Sequence, residues 1–440
     1  MEHNCVIHNY AKARTCHKYR KKHINENFEK GVSRLKAIIF ISTNKSGSSR
    51  EAIKAAGDLG YFTILFTNNE KQIQQRQEYT DVHKMVFVNT YELDDMREEI
   101  FKLQKVGVEI KTIVSFVDPF VHTASILCDE FCHNYVLSKA IEIMENKEET
   151  RSVLKDQPYT PKFFLINPGD SIPIETICEQ FDFPIIVKSP KSTGSKDVLL
   201  AEGKEQLKKH IENLLSKNPD TTIMIEEYIE GDQYLVEVIV HKHKPRIVGI
   251  LEQEITKNKR FIITGYGVLA NVPLTIRKGI ENVLQSIIQE LNIENGALHL
   301  EIRLAKNGWK LIEINPRISG GAMNKMIQAA FGINLVEETL KLYLGKSPAL
   351  LPKFKKFVFT KYVIATKKGI LAKVTGKARA KKSPGVVEVY VKPKKGTLLT
   401  PPLSMGHRYA YVIAVGSSLE EAKKLANTAA SEITFHLEDE

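Results

Sequence analysis

The first third of the chain alternates short apolar runs with segments of helical periodicity. The apolar runs lie at residues 36–42, 61–67, 84–90 and 111–119, and amphipathic stretches separate them. Strands that alternate with helices form a parallel sheet, because a parallel connection needs a crossover long enough to carry a helix. The pattern therefore predicts an N-terminal βαβ domain over residues 36–133.

Farther along, apolar and charged positions alternate on both sides of an Asn-Gly pair. Asn307-Gly308 joins the run ALHLEIRLA to the run WKLIEIN, and Asn-Gly between alternating runs is the strongest short-range signal for a β-hairpin. Pairing across this turn places Glu301 and Glu313 on neighbouring strands, where both can face the same side. Asn315 adds an amide oxygen at the end of the second strand.

Two carboxylates that face each other across a hairpin repel, and a divalent cation would remove that repulsion. Carboxylate and amide oxygens are hard ligands that suit Mg²⁺ or Mn²⁺, which proteins usually bind together with substrate phosphates. The hairpin therefore predicts a site for Mg²⁺, with Mn²⁺ as a second choice, and a partner that carries phosphate. The alternative is a half-buried strand pair with a solvated, charged face.

A cluster of cations and hydroxyls precedes the hairpin. Lys188 ends the apolar run IIVK, and a lysine at the end of a buried strand is costly unless it is paired. The loop that follows, SPKSTGSKDV, combines hydroxyls, a glycine and two more lysines, and its backbone amides could hold phosphates, although it is not a Walker loop. Lys147 and Arg151 share one face of a predicted helix, for which a solvated surface is the alternative.

Changes in composition divide the chain into six predicted segments. They are a basic irregular leader (1–35), the βαβ domain (36–133), linker helices (134–185), two central segments (186–235 and 236–350) and a small C-terminal α+β subdomain (351–440). A polar, glycine-bearing segment at 256–270 is long enough to form a mobile lid over a site.

Composition narrows the class of protein. The chain has 440 residues, of which 42% are hydrophobic and 26% charged, as in ordinary globular proteins with more than one domain. No run approaches the ~18 apolar residues of a membrane span, so no membrane partner is predicted. Five cysteines without a CxxC pair predict a reducing, cytoplasmic location. Cys128, Cys132 and His133 are interpreted as a packed helix face, with metal binding as the alternative.

The net charge of +11 is compatible with nucleic acid or with anionic small molecules. The basic residues are spread along the chain, with local excesses at 12–22 and 353–382, and no nucleic-acid recognition motif accompanies them. A nucleotide is therefore the favoured anionic partner, and no nucleic-acid partner is predicted.

These elements, in this order, resemble the ATP-grasp superfamily from residue 36 to the C-terminus. The most specific stretches are FPIIVKSPKSTGSKDV, EEYIEGDQYLVE and LEIRLAKNGWKLIEINPRISGG. Within the superfamily, the stretch NPRISGGAMNKMIQAAFGINLVEETLKLYLG and the C-terminal HRYAYVIAVG are most similar to bacterial L-amino-acid ligases, the dipeptide synthetases of the bacilysin type. The resemblance implies an α/β and α+β architecture: an ATP-grasp fold with an N-terminal parallel βαβ domain, a central lid subdomain and C-terminal antiparallel sheet subdomains. It implies that segment 186–235 is the lid subdomain and that segment 236–350 is the catalytic subdomain.

The resemblance also implies a role for each matched position. The residues implied to bind the nucleotide are Lys147, Lys188, Ser192, Thr193, Gly194, Ser195, Lys196, Glu226, Glu227, Tyr228, Ile229 and Gln233. Gln233 stands where a ribose-binding glutamate is common, and Asp197 stands where the phosphate loop often has a glycine. The implied metal ligands are Glu301, Glu313 and Asn315, and the implied catalytic residue is Arg317, which would stabilise the acyl phosphate and the tetrahedral intermediate.

Five further positions are candidates for substrate binding beside Arg317. They are Glu237, Glu252, Glu254, Gly320 and Gly321. The three glutamates either form a solvated strand face or provide a carboxylate for the α-ammonium of the first amino acid and another for a basic side chain. His299, beside the paired acids, is interpreted as a packed or supporting histidine.

The function that the resemblance implies is an ATP-dependent L-amino-acid ligase. Such an enzyme forms a dipeptide from two unprotected L-amino acids through an aminoacyl phosphate and releases ADP and phosphate. The alternatives are another ATP-grasp carboxylate–amine ligase or a carboxylase-like enzyme with a different substrate, a degenerate nucleotide-binding regulator, and a nucleic-acid-binding protein. ATP, Mg²⁺ and amino acids are the implied small-molecule partners, and a homodimer is left open.

Overall fold

The computed structural model describes residues 34–190, 197–257, 261–402 and 404–438. Almost all of the predicted leader at 1–35 lies outside the described residues. So do Ser192, Thr193, Gly194, Ser195 and Lys196 of the predicted phosphate loop. Within the described part of the chain, none of the helices combines the length and the apolar character needed to cross a bilayer.

The N-terminal domain is a parallel sheet flanked by helices, as its alternating pattern predicts. Its elements are β1 (Leu35–Ile41), α1 (Ser48–Asp58), β2 (Phe62–Thr67), α2 (Glu70–Gln74), β3 (Lys84–Phe87), α3 (Leu93–Lys105), β4 (Val108–Val114) and α4 (Phe120–Phe131). The strand order is β3-β2-β1-β4, and every pair is parallel. Strand β1 is buried from Ala37 to Ile41, because helices cover both faces of the sheet.

Two helices lead into a second, smaller sheet. They are α5 (Ser138–Glu145) and α6 (Lys147–Val153), and the side chain of Asn146 caps α6 by accepting from the backbone N–H groups of Glu148 and Glu149. The strands of this sheet are β5 (Phe163–Ile166), β6 (Ile185–Lys188), β7 (Val198–Ala201) and β8 (Ile223–Glu227). Helices α7 (Ile174–Gln180) and α8 (Lys204–Lys217) connect strands of the sheet.

The segment 134–185 is therefore not made of linker helices alone. Strand β5 pairs with β8, and the antiparallel order is β5-β8-β6-β7. The short run FFLI forms a strand because two of its alternate residues, Phe164 and Ile166, share one core with helices α7 and α8. A run of four apolar residues does not reveal its pairing partner, so the sequence could not assign it to this sheet.

The rest of the molecule contains an eight-stranded sheet, a small three-stranded sheet and the helices that pack on them. Its first part contains β9 (Asp232–His241), β10 (Lys244–Lys257), β11 (Phe261–Val268), α9 (Leu274–Glu290), β12 (Gly296–Ala305), β13 (Gly308–Asn315), α10 (Met323–Phe331) and α11 (Leu335–Tyr343). Its second part contains β14 (Phe357–Ile364), β15 (Gly369–Thr375), α12 (Lys377–Lys382), β16 (Val386–Val391), β17 (Leu398–Leu399), β18 (Arg408–Gly416), α13 (Leu419–Ser431) and β19 (Thr434–Leu437).

The order of the large sheet is β13-β12-β9-β10-β11-β14-β18-β16. Three strands of the predicted C-terminal subdomain thus continue the catalytic sheet, because β14 pairs with β11, while β15, β17 and β19 form a small sheet of their own. Most of the segment predicted as a polar loop at 256–270 is instead strand β11, which pairs with β10 from Phe261 to Val268, and its role as a lid stays a prediction. The predicted 301/313 hairpin is present, with Glu301 directly opposite Glu313.

The two faces of the large sheet pack against different partners. On β9, Val236 and Val238 face helix α9, whereas Leu235 and Ile239 face a core shared with α10, α11 and helix α1 of the N-terminal domain. This follows from strand geometry, since successive side chains point to opposite faces. Polar residues in phase with Leu235 therefore point toward the N-terminal domain.

The loop after β1 packs on the loop that follows β13. Gly47 has a φ of +87°, and a Cβ added there would lie 2.9 Å from the backbone nitrogen of Gly321. The Ser48 hydroxyl donates to the carbonyl oxygen of Ser319 at 2.6 Å. The N-terminal domain is thus in backbone contact with the Ser-Gly-Gly loop.

Gly47→Ala tests this contact, and Gly60→Ala is its matched control. Gly60 has nearly the same φ, +85°, but has no atom within 4 Å of an added Cβ. Both variants should lose roughly 1–3 kcal/mol because alanine is strained at a positive φ. Gly47→Ala should lose more, because its Cβ must displace the backbone of Gly321. Urea unfolding of the two variants measures the difference, and equal losses would show that the two loops do not press on each other.

Candidate active site

The site is built around the paired acids of the β12–β13 hairpin. Glu301 and Glu313 are register partners, and Asn315 lies opposite His299. The Gln233 side-chain amide donates to Glu301 Oε2 at 2.8 Å, and Arg303 donates to Gln233 Oε1 at 2.9 Å. Burial, followed by repulsion from Glu313, raises the pKa of Glu301 above its usual value. Gln233 thus supports an acid of the predicted metal site.

The donor set fits a hard divalent cation. A raised pKa means that the ionised form of Glu301 is penalised where it stands, and a bound cation would remove that penalty. Within the described residues, no group of three or more His, Cys, Asp or Glu side chains could hold a metal ion. Two carboxylates and the Asn315 amide leave room for water and phosphate oxygens, as Mg²⁺ requires.

Cys128, Cys132 and His133 are not arranged as metal ligands. Cys128 is buried in the core of the N-terminal domain, with its sulfur 3.5 Å from that of Cys132 and 3.6 Å from the Thr112 hydroxyl. The His133 ring contacts the edge of Tyr135. These contacts correspond to the packed helix face that the sequence favoured.

A buried cluster of two cations and one carboxylate lies next to the acids. Arg151, Lys188 and Glu226 are 3%, 7% and 6% exposed. Lys188 Nζ lies 2.5 Å from Glu226 Oε2, and Arg151 Nε lies 2.7 Å from Glu226 Oε1. Burial alone would raise the pKa of Glu226, but the two cations hold it below its usual value, while burial lowers the pKa of Lys188. Two cations against one carboxylate leave an excess positive charge that suits an anion.

This cluster and Lys147 converge on the hairpin. Lys147 Nζ lies 3.3 Å from Glu313 Oε1, and Arg151 donates to the carbonyl oxygen of Ile312 at 2.8 Å. The structure therefore brings both predicted phosphate lysines to the predicted metal ligands, although residues 147, 188 and 313 are far apart in sequence. Arg151 was noticed only as the helical neighbour of Lys147, and its contact with Glu226 was not predicted.

The predicted adenine hinge is anchored by its neighbours. Glu227 accepts from the backbone N–H of Lys162 at 2.8 Å and lies 3.3 Å from Lys310 Nζ. Ile229 is buried and its carbonyl oxygen accepts from Arg303, whereas Tyr228 is exposed. The side chain of Glu226 is fully engaged by cations, so only its backbone could contact a base. Binding of adenine by this segment stays a prediction.

Arg317 is tied to the N-terminal domain. Its guanidinium forms a two-pronged ion pair with Asp118, including an Nε–Oδ1 bond of 2.8 Å. Burial would lower the pKa of Arg317, but Asp118 keeps it above its usual value. Asp118 was not among the residues that the sequence predicted for the site. A carboxylate just past the carboxyl end of a parallel strand was the available signal, since ligand sites form at that edge.

Glu145 is a second carboxylate beside this ion pair. It ends helix α5, and its Oε1 accepts from the backbone N–H of His122 at 3.4 Å. Burial first, and then the negative charge of Asp118, raise its pKa to about 7, while the backbone hydrogen bonds and Arg317 act in the opposite direction. No pattern in the sequence distinguished Glu145 from the other glutamates of its helix.

Glu237 does not present a free carboxylate to a substrate. It is 0% exposed, and its Oε1 lies 2.7 Å from His299 Nδ1. Ser319 donates to it through both its backbone N–H (3.2 Å) and its hydroxyl. The pKa of Glu237 is lowered although burial acts to raise it, because His299 is adjacent. Both sequence interpretations, solvated face and ammonium ligand, are replaced by a supporting role under the Ser-Gly-Gly loop that carries Gly320 and Gly321.

Glu252 and Glu254 lie on the face of the large sheet opposite the paired acids. Leu251 and Glu301 are both register partners of Leu235, so Glu252 points to the opposite face. There Glu254 forms ion pairs with Lys361 and with Lys423 of helix α13, at 2.7 Å for the latter. Burial would raise the pKa of Glu254, but these bonds lower it to about 2. The sequence could not choose the face, because a strand pattern fixes alternation but not orientation.

Comparison with known families agrees with this geometry. The ATP-grasp domain matches residues 181–325, which contain Lys188, the hinge and the paired acids. The L-amino acid ligase C-terminal domain 2 matches residues 361–438. The chain therefore contains an ATP-grasp domain and an L-amino acid ligase C-terminal domain.

Curated relatives are distant. An uncharacterized protein of Sinorhizobium fredii is 24% identical over 80% of this chain and 73% of its own length. The L-arginine-specific L-amino acid ligase of Bacillus subtilis is 25% identical over 61% of this chain and 66% of its own length. The chain thus spans about two thirds of the latter relative.

Solved ATP-grasp structures share the fold over nearly the whole chain. The L-amino acid ligase of Bacillus licheniformis superposes with a TM-score of 0.76 at 18% identity, over 93% of this chain and all of its own. Phosphoribosylglycinamide synthetase of Anaerococcus prevotii gives 0.72 at 16% identity, over 92% of this chain and all of its own. At these identities the likeness establishes the fold and leaves the substrate open.

Glu226→Gln should destabilise the protein by about 3–5 kcal/mol, because it leaves two buried cations without their shared carboxylate. Glu227→Gln is the control, since Glu227 is 30% exposed and its ion pair with Lys310 should contribute about 1 kcal/mol or less. Urea unfolding at pH 7 compares the two. Similar losses would mean that the cluster does not depend on Glu226.

Glu145→Gln should change how stability depends on pH. A carboxyl whose pKa rises on folding favours the folded state at low pH, and that benefit is lost as pH rises through about 7. The glutamine variant stays neutral, so its stability relative to wild type should increase between pH 5 and pH 8. Glu142→Gln on the same helix is the control, because the hydrogen bond from Lys139 lowers the pKa of Glu142. A flat difference for Glu145→Gln over this range would contradict the raised pKa.

Proposed function

We propose that the protein is an ATP-dependent L-amino-acid ligase that joins two unprotected L-amino acids and releases ADP and phosphate. The observation that carries the proposal is the convergence of four groups on one face of the large sheet. These are the Glu301–Glu313–Asn315 oxygens, Lys147, the Arg151–Lys188–Glu226 cluster, and Arg317 on its Asp118 anchor. The L-amino acid ligase C-terminal domain over residues 361–438 supports amino acids as the substrate class.

A carboxylate is a poor electrophile until it is phosphorylated. In the first step a carboxylate oxygen of the donor amino acid attacks the γ-phosphorus of ATP, and the bond to the bridging oxygen of ADP breaks. Lys147 and Lys188 lie where they could hold the transferring phosphoryl group, and the excess positive charge of the buried cluster would offset its negative charge. Mg²⁺ bound by Glu301, Glu313 and Asn315 would supply further charge neutralisation.

In the second step the α-amine of the acceptor attacks the acyl phosphate and phosphate leaves. Arg317 donates to Asp118 through Nε and Nη2 and to the carbonyl oxygen of Ile318 through Nη1, so the second N–H bond on each Nη could stabilise the oxyanion that forms on the carbonyl. A fixed donor is useful here because it needs no reorganisation as charge develops. The Ser-Gly-Gly loop, supported by Glu237 and Ser48, lies directly after Arg317 and forms the adjoining wall.

Another ATP-grasp ligase with a substrate other than an amino acid is the second candidate. The fold is compatible with it, because phosphoribosylglycinamide synthetase shares this fold at 16% identity. A cytoplasmic location and a homodimer also remain predictions.

The deciding experiment measures phosphate release from ATP and Mg²⁺ with single amino acids and with all pairs, and weighs the products by mass spectrometry. The proposal predicts that ADP forms with particular pairs and that a product equals their sum minus water. ATP binding without turnover on any amino acid would reject amino acids as the substrate class and favour the second candidate.

Glu313→Gln should lower the rate by about 10²–10³, as for removal of one group that stabilises the transition state. Glu252→Gln makes the same chemical change on the opposite face of the same sheet and should leave the rate near that of wild type. Both variants are assayed on the pair that wild type uses best. An equal loss in both would contradict the assignment of faces.

A further inference from the structure

A ligase that joins two free amino acids handles two carboxylates. The donor carboxylate becomes the amide, whereas the acceptor carboxylate remains an anion in the product. An enclosed site binds such an anion well only if it provides a hydrogen-bonding cation. This requirement rests on the proposed function, and it concerns a cation other than those that face the phosphates.

Of the cations nearest the paired acids, Arg303 donates to Gln233 and to the carbonyl oxygen of Ile229, on the side of the predicted hinge, and the others have carboxylate partners within the chain. Arg317 pairs with Asp118, Lys188 and Arg151 share Glu226, and Lys147 lies near Glu313. These groups are arranged around the place where phosphate would bind. The acceptor carboxylate therefore calls for a guanidinium or ammonium farther along the same face.

Arg408 occupies such a position, at the start of strand β18. Its guanidinium carbon lies 4.0 Å from the centre of the Tyr362 ring and 5.8 Å from the centre of the Tyr266 ring. Its Nη1 lies 3.5 Å from the Tyr266 hydroxyl. Aromatic rings hold a guanidinium by its flat face, and the N–H groups at its edge then point in the plane where carboxylates bind.

Both tyrosines place Arg408 on the face that carries the paired acids. Tyr266 is the register partner of Gln253, whose side chain faces the same side of the sheet as that of Leu251. Leu251 and Glu301 are both register partners of Leu235, so Tyr266 lies on the same face as Glu301. Burial raises the pKa of the Tyr266 hydroxyl to about 12, and Glu301 is among the charges that act on it.

Tyr362 connects the same arginine to the Ser-Gly-Gly loop. The Tyr362 hydroxyl oxygen lies 3.6 Å from the point that a Cβ on Gly321 would occupy. One tyrosine ring thus separates Arg408 from the loop that follows Arg317. An amino acid whose amine points toward Arg317 could extend its carboxylate along this wall.

We propose that Arg408, mounted on Tyr362 and Tyr266, binds the α-carboxylate of the acceptor amino acid. The class of ligand is an α-amino acid with a free carboxylate. Arg408 thereby becomes a specificity residue that distinguishes a free amino acid from its amide or ester, and it takes no part in donor activation.

The test separates donor activation from acceptor binding. Hydroxylamine can replace the acceptor, because it attacks an acyl phosphate to give a hydroxamate and has no carboxylate. Arg408→Met should raise the KM for the acceptor amino acid by about 10- to 100-fold, the size of one charge-assisted hydrogen-bonded pair. Its rate of hydroxamate formation should match that of wild type. Lys381→Met removes an exposed cation of the same domain and should change neither reaction.

Two further measurements cover an unstable Arg408→Met variant. Arg408→Lys keeps the charge without the planar fork and should give an intermediate KM for the acceptor. Wild type itself should use the acceptor amide at least 10-fold less well than the free acid, and Arg408→Met should lose that preference.

Each contrary outcome identifies what has failed. Equal losses in both reactions, an unchanged acceptor KM, or a wild type that uses the amide as well as the acid overturns the role of Arg408. Hydroxamate without any dipeptide also overturns it, because donor activation then stands while the acceptor is not an amino acid. Absence of both products rejects the proposed function and this inference with it.

Discussion

The buried carboxylate of Glu226 holds together the two parts of the molecule that form the site. It lies on β8 of the smaller sheet and neutralises Lys188 on β6 and Arg151 on helix α6. Arg151 in turn bonds to the carbonyl oxygen of Ile312, next to Glu313 on the large sheet. Three buried charges are costly unless each is paired, so the positions of these elements are strongly constrained. The excess positive charge that remains is what makes the cluster suited to an anion.

A second constraint comes from the pleat of the large sheet. Residues in phase with Leu235 line one continuous face that carries Glu237, His299, Glu301, Tyr266 and Tyr362, while residues one position away pack against α9 or α13. The polar side chains of the candidate site are therefore concentrated on a single face of the large sheet. The same geometry places Glu252 and Glu254 on the opposite face from the paired acids, although both are glutamates on a strand of the same sheet.

The N-terminal domain completes the site rather than only adjoining it. Asp118 orients Arg317, Ser48 bonds to Ser319, and Gly47 presses on Gly321. Each contact reaches the short segment from Arg317 to Gly321. The wall where the reaction would occur is thus built from two domains, and its geometry depends on how they pack.

The sequence by itself determined the local elements and the residue types of the site. The β1–β4 pattern predicted the parallel domain, Asn307-Gly308 predicted the hairpin, and the hairpin placed Glu301 opposite Glu313, because turn chemistry and side-chain period act over a few residues. Lys147 and Lys188 were recognised by resemblance. The tertiary structure alone decided which strand face each acid occupies, that Glu226 is enclosed by two cations, that Asp118 and Glu145 lie beside Arg317, and that Arg408 rests on two tyrosines. The reason is physical: these features depend on strand orientation and on contacts between residues as many as 199 positions apart, and no local pattern encodes either.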